Sequence, residues 1–89
     1  MEPIRVEKPG PEEVKALGVE TWPVWQCGVS TFPWTYDEAE TAYLVEGRVH
    51  VTAEGQGVTL VPGDLVHFPR GLHCTWEVEA PVRKHYRFA

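Results

Sequence analysis

The stretch Glu40-Thr41-Ala42-Tyr43-Leu44-Val45-Glu46-Gly47-Arg48-Val49-His50-Val51-Thr52-Ala53, followed by Glu54-Gly55-Gln56-Gly57 and Val58-Thr59-Leu60-Val61, decides the fold. Residues 41–45 are β-branched, aromatic or aliphatic and read as a strand that ends at Glu46-Gly47. Residues 49–53 read as the next strand, with Val49, Val51 and Ala53 on one face and His50 turned to solvent between them. The glycines within residues 54–57 supply the positive φ of a hairpin turn, and residues 58–61 return. Pro62-Gly63-Asp64 is a further turn. Residues 65–68 form another strand, closed by Pro69-Arg70-Gly71. Upstream, Val24, Trp25, Cys27, Val29, Phe32 and Trp34 keep a period of two. Pro23, Gly28 and Pro33 interrupt them, which predicts short bent strands. Residues 73–78 and 82–88 complete the pattern. In the second of these, Lys84 interrupts the face opposite Arg83, His85 and Arg87. Many short strands with frequent turns predict an all-β sandwich or barrel, in which closure removes sheet edges.

Residues 1–20 read differently. Pro9-Gly10-Pro11 is a break, and Pro11 to Gly18 reads as one or two helical turns, with Glu12 and Glu13 in the first turn and Gly18 at the end. The expected organisation is therefore an N-terminal extension with a short helix over 1–20 and a barrel over 21–89. Length agrees: 89 residues bury one core. The 43% apolar and 24% charged content argues against disorder. Eight Lys and Arg against thirteen Asp and Glu give a net charge of −5. Arg83-Lys84 is the one basic cluster, so neither nucleic acid nor an anionic membrane is an expected partner. The start of the chain has neither the charge nor the apolar run of a leader, and a cytoplasmic location with Cys27 and Cys74 as thiols is expected. The sequence holds no Asn, two Gln and one Met, a scarcity of thermolabile side chains that predicts a high melting temperature.

The stretch from Glu40 to Val49, with Pro62-Gly63-Asp64 and Pro69-Arg70-Gly71, resembles the cupin superfamily. Glu40, six residues, then Gly47 matches the end of the first cupin motif. Gly63, five residues, Pro69, one residue, then Gly71 matches the start of the second. The resemblance runs from about Trp22 to the end. It is closest to the short cupins grouped with ureidoglycine aminohydrolase and the ethanolamine-utilisation cupins, and among them to stand-alone members of unknown function. It implies a cupin-type antiparallel jelly-roll barrel. It also exposes departures. Trp34 and Tyr36 stand where the first motif has its histidines, Cys74 where the second has its histidine, and Val78 where it has asparagine. Of the four metal-ligand positions, Glu40 alone keeps its usual side chain.

In that register Glu40 sits inside the barrel among Trp34, Tyr36, Phe68 and Trp76. A carboxylate there is costly unless it is hydrogen-bonded or paired, and Tyr36 O–H and Trp34 N–H are the partners at hand. The residues Trp34, Tyr36, Glu40, Phe68, Cys74 and Trp76 define an aromatic-lined pocket for a small organic ligand, with Glu40 as the candidate catalytic acid or base. Indole cannot ligate a metal and tyrosine must first lose a proton. No metal cofactor is expected; if a divalent transition metal binds, Glu40 and Cys74 would hold it. His73 neighbours Cys74 in a strand and faces the other way, and His50, His67 and His85 read as surface or interface residues. Three readings stay open: a small-molecule-binding cupin with a degenerate metal site, a metal-dependent enzyme of the aminohydrolase or isomerase kind, and a non-catalytic assembly module. A homodimer is expected, because a short open barrel leaves a sheet edge to cover.

Overall fold

A computed structural model describes residues 2–88. In chain order the elements are β1 (Arg5–Glu7), α1 (Pro11–Leu17), a 3-10 turn (Val19–Thr21), β2 (Val24–Cys27), β3 (Ser30–Thr35), β4 (Glu40–Ala53), β5 (Gln56–Leu60), β6 (Leu65–Phe68) and β7 (His73–Phe88). The two long strands, β4 and β7, pair antiparallel along nearly their whole length and form the spine. Each carries two shorter partners on its free edge. β4 pairs with β6 through residues 40–43 and with β5 through residues 49–53. β7 pairs with β3 through residues 73–78 and with β2 through residues 82–85. The two halves fold over one core, the antiparallel barrel-like arrangement expected from the sequence. Leu44 and Val82 from one half share it with Val49, Val51, Trp76 and Val78 from the other. Each such buried side chain stabilises the fold by roughly 1.5–3 kcal/mol.

Glu46-Gly47 does not end a strand. The pairing with β7 shifts register between Leu44 and Val49, so the chain passes through a bulge and continues. The bulge changes which parity points inward: Glu40, Ala42 and Leu44 are buried before it, Val49 and Val51 after it. Gly47 adopts φ 99°, and a Cβ there would lie 2.5 Å from the Pro81 carbonyl oxygen and 2.7 Å from Val82 Cα. Only glycine fits this crossing. Residues 73–78 and 82–88 are likewise one strand. Pro81, which has no N–H to offer the ladder, sits opposite the bulge where the register shifts. The hairpin turn after β4 is tighter than the sequence suggests, two residues at Glu54-Gly55.

Helix α1 forms where the sequence places it, with Pro11 at its start and Gly18 in the left-handed conformation at its end. It buries no residue of its own. Instead the following turn packs Val19 and Trp22 on Leu65. The preceding segment is tied to the sheet. β1 pairs with β6, and Ile4 exchanges two hydrogen bonds with the Gln56 side chain, both 2.8 Å. Lys8 Nζ reaches the buried Asp64 carboxylate at 2.6 Å, whose other oxygen accepts the Val61 N–H. Arg5-Val6-Glu7 is too short and polar to be read as a strand from sequence.

Candidate functional site

The even-numbered side chains of β7 point inward along its length: Cys74, Trp76, Val78, Val82 and Lys84 are buried, and their odd neighbours through Arg83 are exposed. A lysine on this face is the exception that organises the site. Glu40, first residue of β4, lies on the same inner surface. Lys84 Nζ donates to Glu40 Oε2 at 2.6 Å, and both side chains are 7% exposed. The ammonium is also surrounded by rings, 4.8 Å from the centre of Trp76, 5.1 Å from Trp25 and 5.7 Å from Tyr86. Rings at these distances stabilise a desolvated cation by up to about 2 kcal/mol. Burial pushes Lys84 below the ordinary lysine range, and the charge and hydrogen bond of Glu40 act against that shift.

A cavity of about 210 Å³ opens onto this pair. Trp25, Phe32 and Tyr86 form its walls, Trp34 and Phe88 stand beside it, and Glu40 and Lys84 are its charged residues. Trp34 and Phe88 are 52% and 56% exposed, large apolar side chains left on the surface. The volume is below the roughly 300–1,000 Å³ of drug-sized ligand sites, so it suits a small molecule. A larger groove of about 650 Å³ lies between α1 and Tyr43, but the charged residues along it, Lys15 and Glu20, are exposed and no buried titratable group faces it. Glu40 also borders a second groove of about 300 Å³, beside Arg5, Thr41 and His67.

The structure places the sequence-predicted residues in two groups. Glu40 and Trp34 line the cavity. Tyr36, Phe68, Cys74 and Trp76 do not; they form the packed layer of core behind it. Tyr36 and Phe68 stack with ring centres 4.5 Å apart, which leaves no space between them for a ligand. The Tyr36 hydroxyl accepts a hydrogen bond from Trp76 Nε1 at 3.2 Å rather than serving Glu40. Its burial holds the phenol well above the usual tyrosine range, with the Glu40 and Cys74 charges acting in the same direction. Burial also pushes the Cys74 thiol up, against the opposing influence of the Trp76 indole and Lys84. The partner of Glu40 is therefore Lys84, not Tyr36 or Trp34. In sequence Lys84 shows only as a break in an apolar face. The signal that would have found it is complementarity: an inward carboxylate requires an inward cation, and Lys84 is the lysine with the right parity.

The histidines are engaged elsewhere. His73 pairs with Thr35 at 2.8 Å, His50 with Thr59 at 3.0 Å, and His67 with Thr41 and Glu7 at 3.2 and 3.3 Å. His85 Nδ1 donates to the Trp22 carbonyl at 3.1 Å. The resemblance noted above implies a metal-ligand position at Glu40, and the residues around it are a poor donor set. The Glu40 carboxylate is taken by an ammonium, the Cys74 thiol is held in its neutral form by burial, and the Tyr36 hydroxyl is committed to Trp76. Among the described residues no three His, Cys, Asp or Glu side chains are grouped to hold an ion.

Comparison with known proteins places this arrangement in a family context. Residues 14–86 match the EutQ-like cupin domain. The crystal structure of a DUF861 family protein from Thermotoga maritima is 50% identical, covers 98% of this chain and 100% of that one, and superposes with a TM-score of 0.95. A putative ethanolamine utilization protein Q from Salmonella typhimurium is 30% identical over 71% of this chain and 51% of that one, with a TM-score of 0.65. The acetate kinase EutQ of Escherichia coli is 33% identical over 52 residues, 58% of this chain and 22% of that protein. The chain thus spans about a fifth of the length of the curated relatives it matches.

Proposed function

The chain belongs to the EutQ-like cupin domain family, and on that premise we propose that it binds a small, largely apolar organic molecule in the cavity between Trp25, Phe32 and Tyr86, without a metal. The observation that carries this reading is the Glu40–Lys84 ion pair at the edge of an open aromatic cavity. A buried ion pair is weak evidence of stabilisation, since an apolar pair of equal volume often does as well. Its presence beside a cavity is better explained by use. The pair offers a ligand one donor and one acceptor side by side, and the rings supply apolar contact and exclude water. The metal-free reading is supported by the charge balance, since Lys84 pairs with the Glu40 carboxylate that would otherwise attract a divalent ion.

The experiment is a pair of melting curves. Benzyl alcohol, small enough for the cavity and bearing one hydroxyl for the ion pair, raises the melting midpoint in a concentration-dependent way, as mass action requires of a ligand that binds only the folded state. Zinc at equal concentration leaves the midpoint unchanged. A zinc-induced rise that disappears in Glu40→Gln overturns the metal-free reading, and a flat response to the alcohol overturns the pocket.

A further inference from the structure

Resting on that reading, we infer that the ligands of this cavity are carbonyl compounds, and that Lys84 binds aldehydes covalently as a Schiff base. Three features of the site converge on this chemistry. The first is an amine on the cavity wall: Lys84 borders the 210 Å³ space. It differs in setting from the other two lysines, Lys15, exposed on α1, and Lys8, whose side chain is 74% exposed and paired with Asp64. The second is a proton acceptor in contact with it, Glu40 Oε2 at 2.6 Å. A nucleophile and its base within hydrogen-bond reach are the signature of covalent catalysis by side chains. The third is the ring cage. Trp76, Trp25 and Tyr86 lie around Nζ at distances that favour a cation, and they favour the protonated imine as they favour the ammonium.

The steps balance without any further reagent. Glu40 takes one proton from the Lys84 ammonium. The freed nitrogen lone pair forms a bond to the carbonyl carbon, and the π pair of the carbonyl moves onto its oxygen. That oxygen receives a proton from the nitrogen, giving a carbinolamine. Glu40 returns its proton to the hydroxyl, which leaves as water while the nitrogen lone pair closes the C=N bond. The nitrogen begins as an ammonium and ends as a protonated imine, so the net reaction leaves one positive charge there, next to the same carboxylate and the same rings. The one product that must leave is a water, from a site with few polar groups to retain it. An unbranched or monocyclic aldehyde fits the volume, and an uncharged one suits the walls.

The test is reductive trapping of the full chain with benzaldehyde and cyanoborohydride at neutral pH, read by peptide mass mapping of Lys8, Lys15 and Lys84. Lys84 is expected to be modified faster than either surface lysine by roughly 100-fold, the lower end of what a positioned proton-transfer partner contributes. Glu40→Gln, which keeps a hydrogen-bond acceptor but no base, is expected to slow trapping at Lys84 by a similar factor while Lys8 and Lys15 react as before. Mapping the unmutated chain needs no Lys84 variant, whose folding the loss of the pair would endanger. Equal or preferential modification of Lys8 and Lys15 overturns the Schiff-base assignment. If benzyl alcohol still raises the melting midpoint in that case, the cavity reading stands without it. If neither the alcohol nor the aldehyde acts, both are overturned.

Discussion

Removing Lys84 alone should be among the most damaging single changes to this fold. In Lys84→Met the Glu40 carboxylate keeps its buried position, 7% exposed, and loses its one charged partner. Breaking a buried pair from one side costs about 3–5 kcal/mol. For a domain of this size, where 1 kcal/mol moves the midpoint by roughly 4–8 °C, the expected fall is on the order of 15–30 °C. Glu40→Leu should cost less, because the stranded ammonium keeps the three rings and, already pushed below its ordinary range, can release its proton. The double variant Lys84→Met with Glu40→Leu replaces the pair by apolar groups and should return to within about 1 kcal/mol of the starting protein, or exceed it. The assay is urea unfolding of all four proteins at neutral pH, compared at constant m-value. The cycle should give a coupling of at least about 2 kcal/mol, barely reduced by high salt since the charges are shielded from solvent. A double-variant effect within about 0.5 kcal/mol of the sum of the two single effects would refute the coupling, because it would mean the two groups ionise independently in water.

Gly47→Ala should destabilise by about 2 kcal/mol or more, since the new Cβ meets Pro81 and Val82 backbone atoms and the residue must keep a positive φ; a melting curve within about 2 °C of the parent contradicts the bulge geometry. Alkali should unfold the protein. Above about pH 10 the unfolded chain loses its tyrosine proton while buried Tyr36 keeps its own, so the native state binds more protons and stability falls as pH rises. Cys74 acts in the same sense from the ordinary thiol range upward. Lys84, held low, acts oppositely below about pH 10.4, where the unfolded chain binds the extra proton, so the net decline belongs to the region above that. Tyr36→Phe should flatten it, and an unchanged slope removes Tyr36 as its source. Sedimentation at micromolar concentration should show a homodimer covering the open edge of β3 and the exposed Trp34; a monomer removes that expectation.

Most of the fold was legible because sheets are written with a period of two and punctuated by glycine and proline. Val49, Val51 and the Pro62-Gly63-Asp64 turn specify their places locally. The spine was not, because Gly47 looks the same in sequence whether it ends a strand or kinks one. The difference lies in Pro81, more than thirty residues away. The site was legible by half. Glu40 could be placed by its spacing to Gly47, but its partner belongs to the far end of β7, and pairing of β4 with β7 is what brings the two together. Tyr36, Phe68 and Trp76 were placed in the pocket by the motif register around Glu40; in the structure they pack in the core, and Trp25, Tyr86 and Phe88 line the cavity instead.

On the proposed reading, a small molecule enters the cavity that the ion pair faces. The most direct test is the set of indole N–H signals in a nitrogen-proton NMR spectrum, one for each of the four tryptophans. Titration with benzyl alcohol should shift the signals of Trp25 and Trp34, which line the cavity, and leave that of Trp22, packed against Leu65, in place. Signals of Trp25 and Trp34 that stay fixed while Trp22 moves would contradict the account.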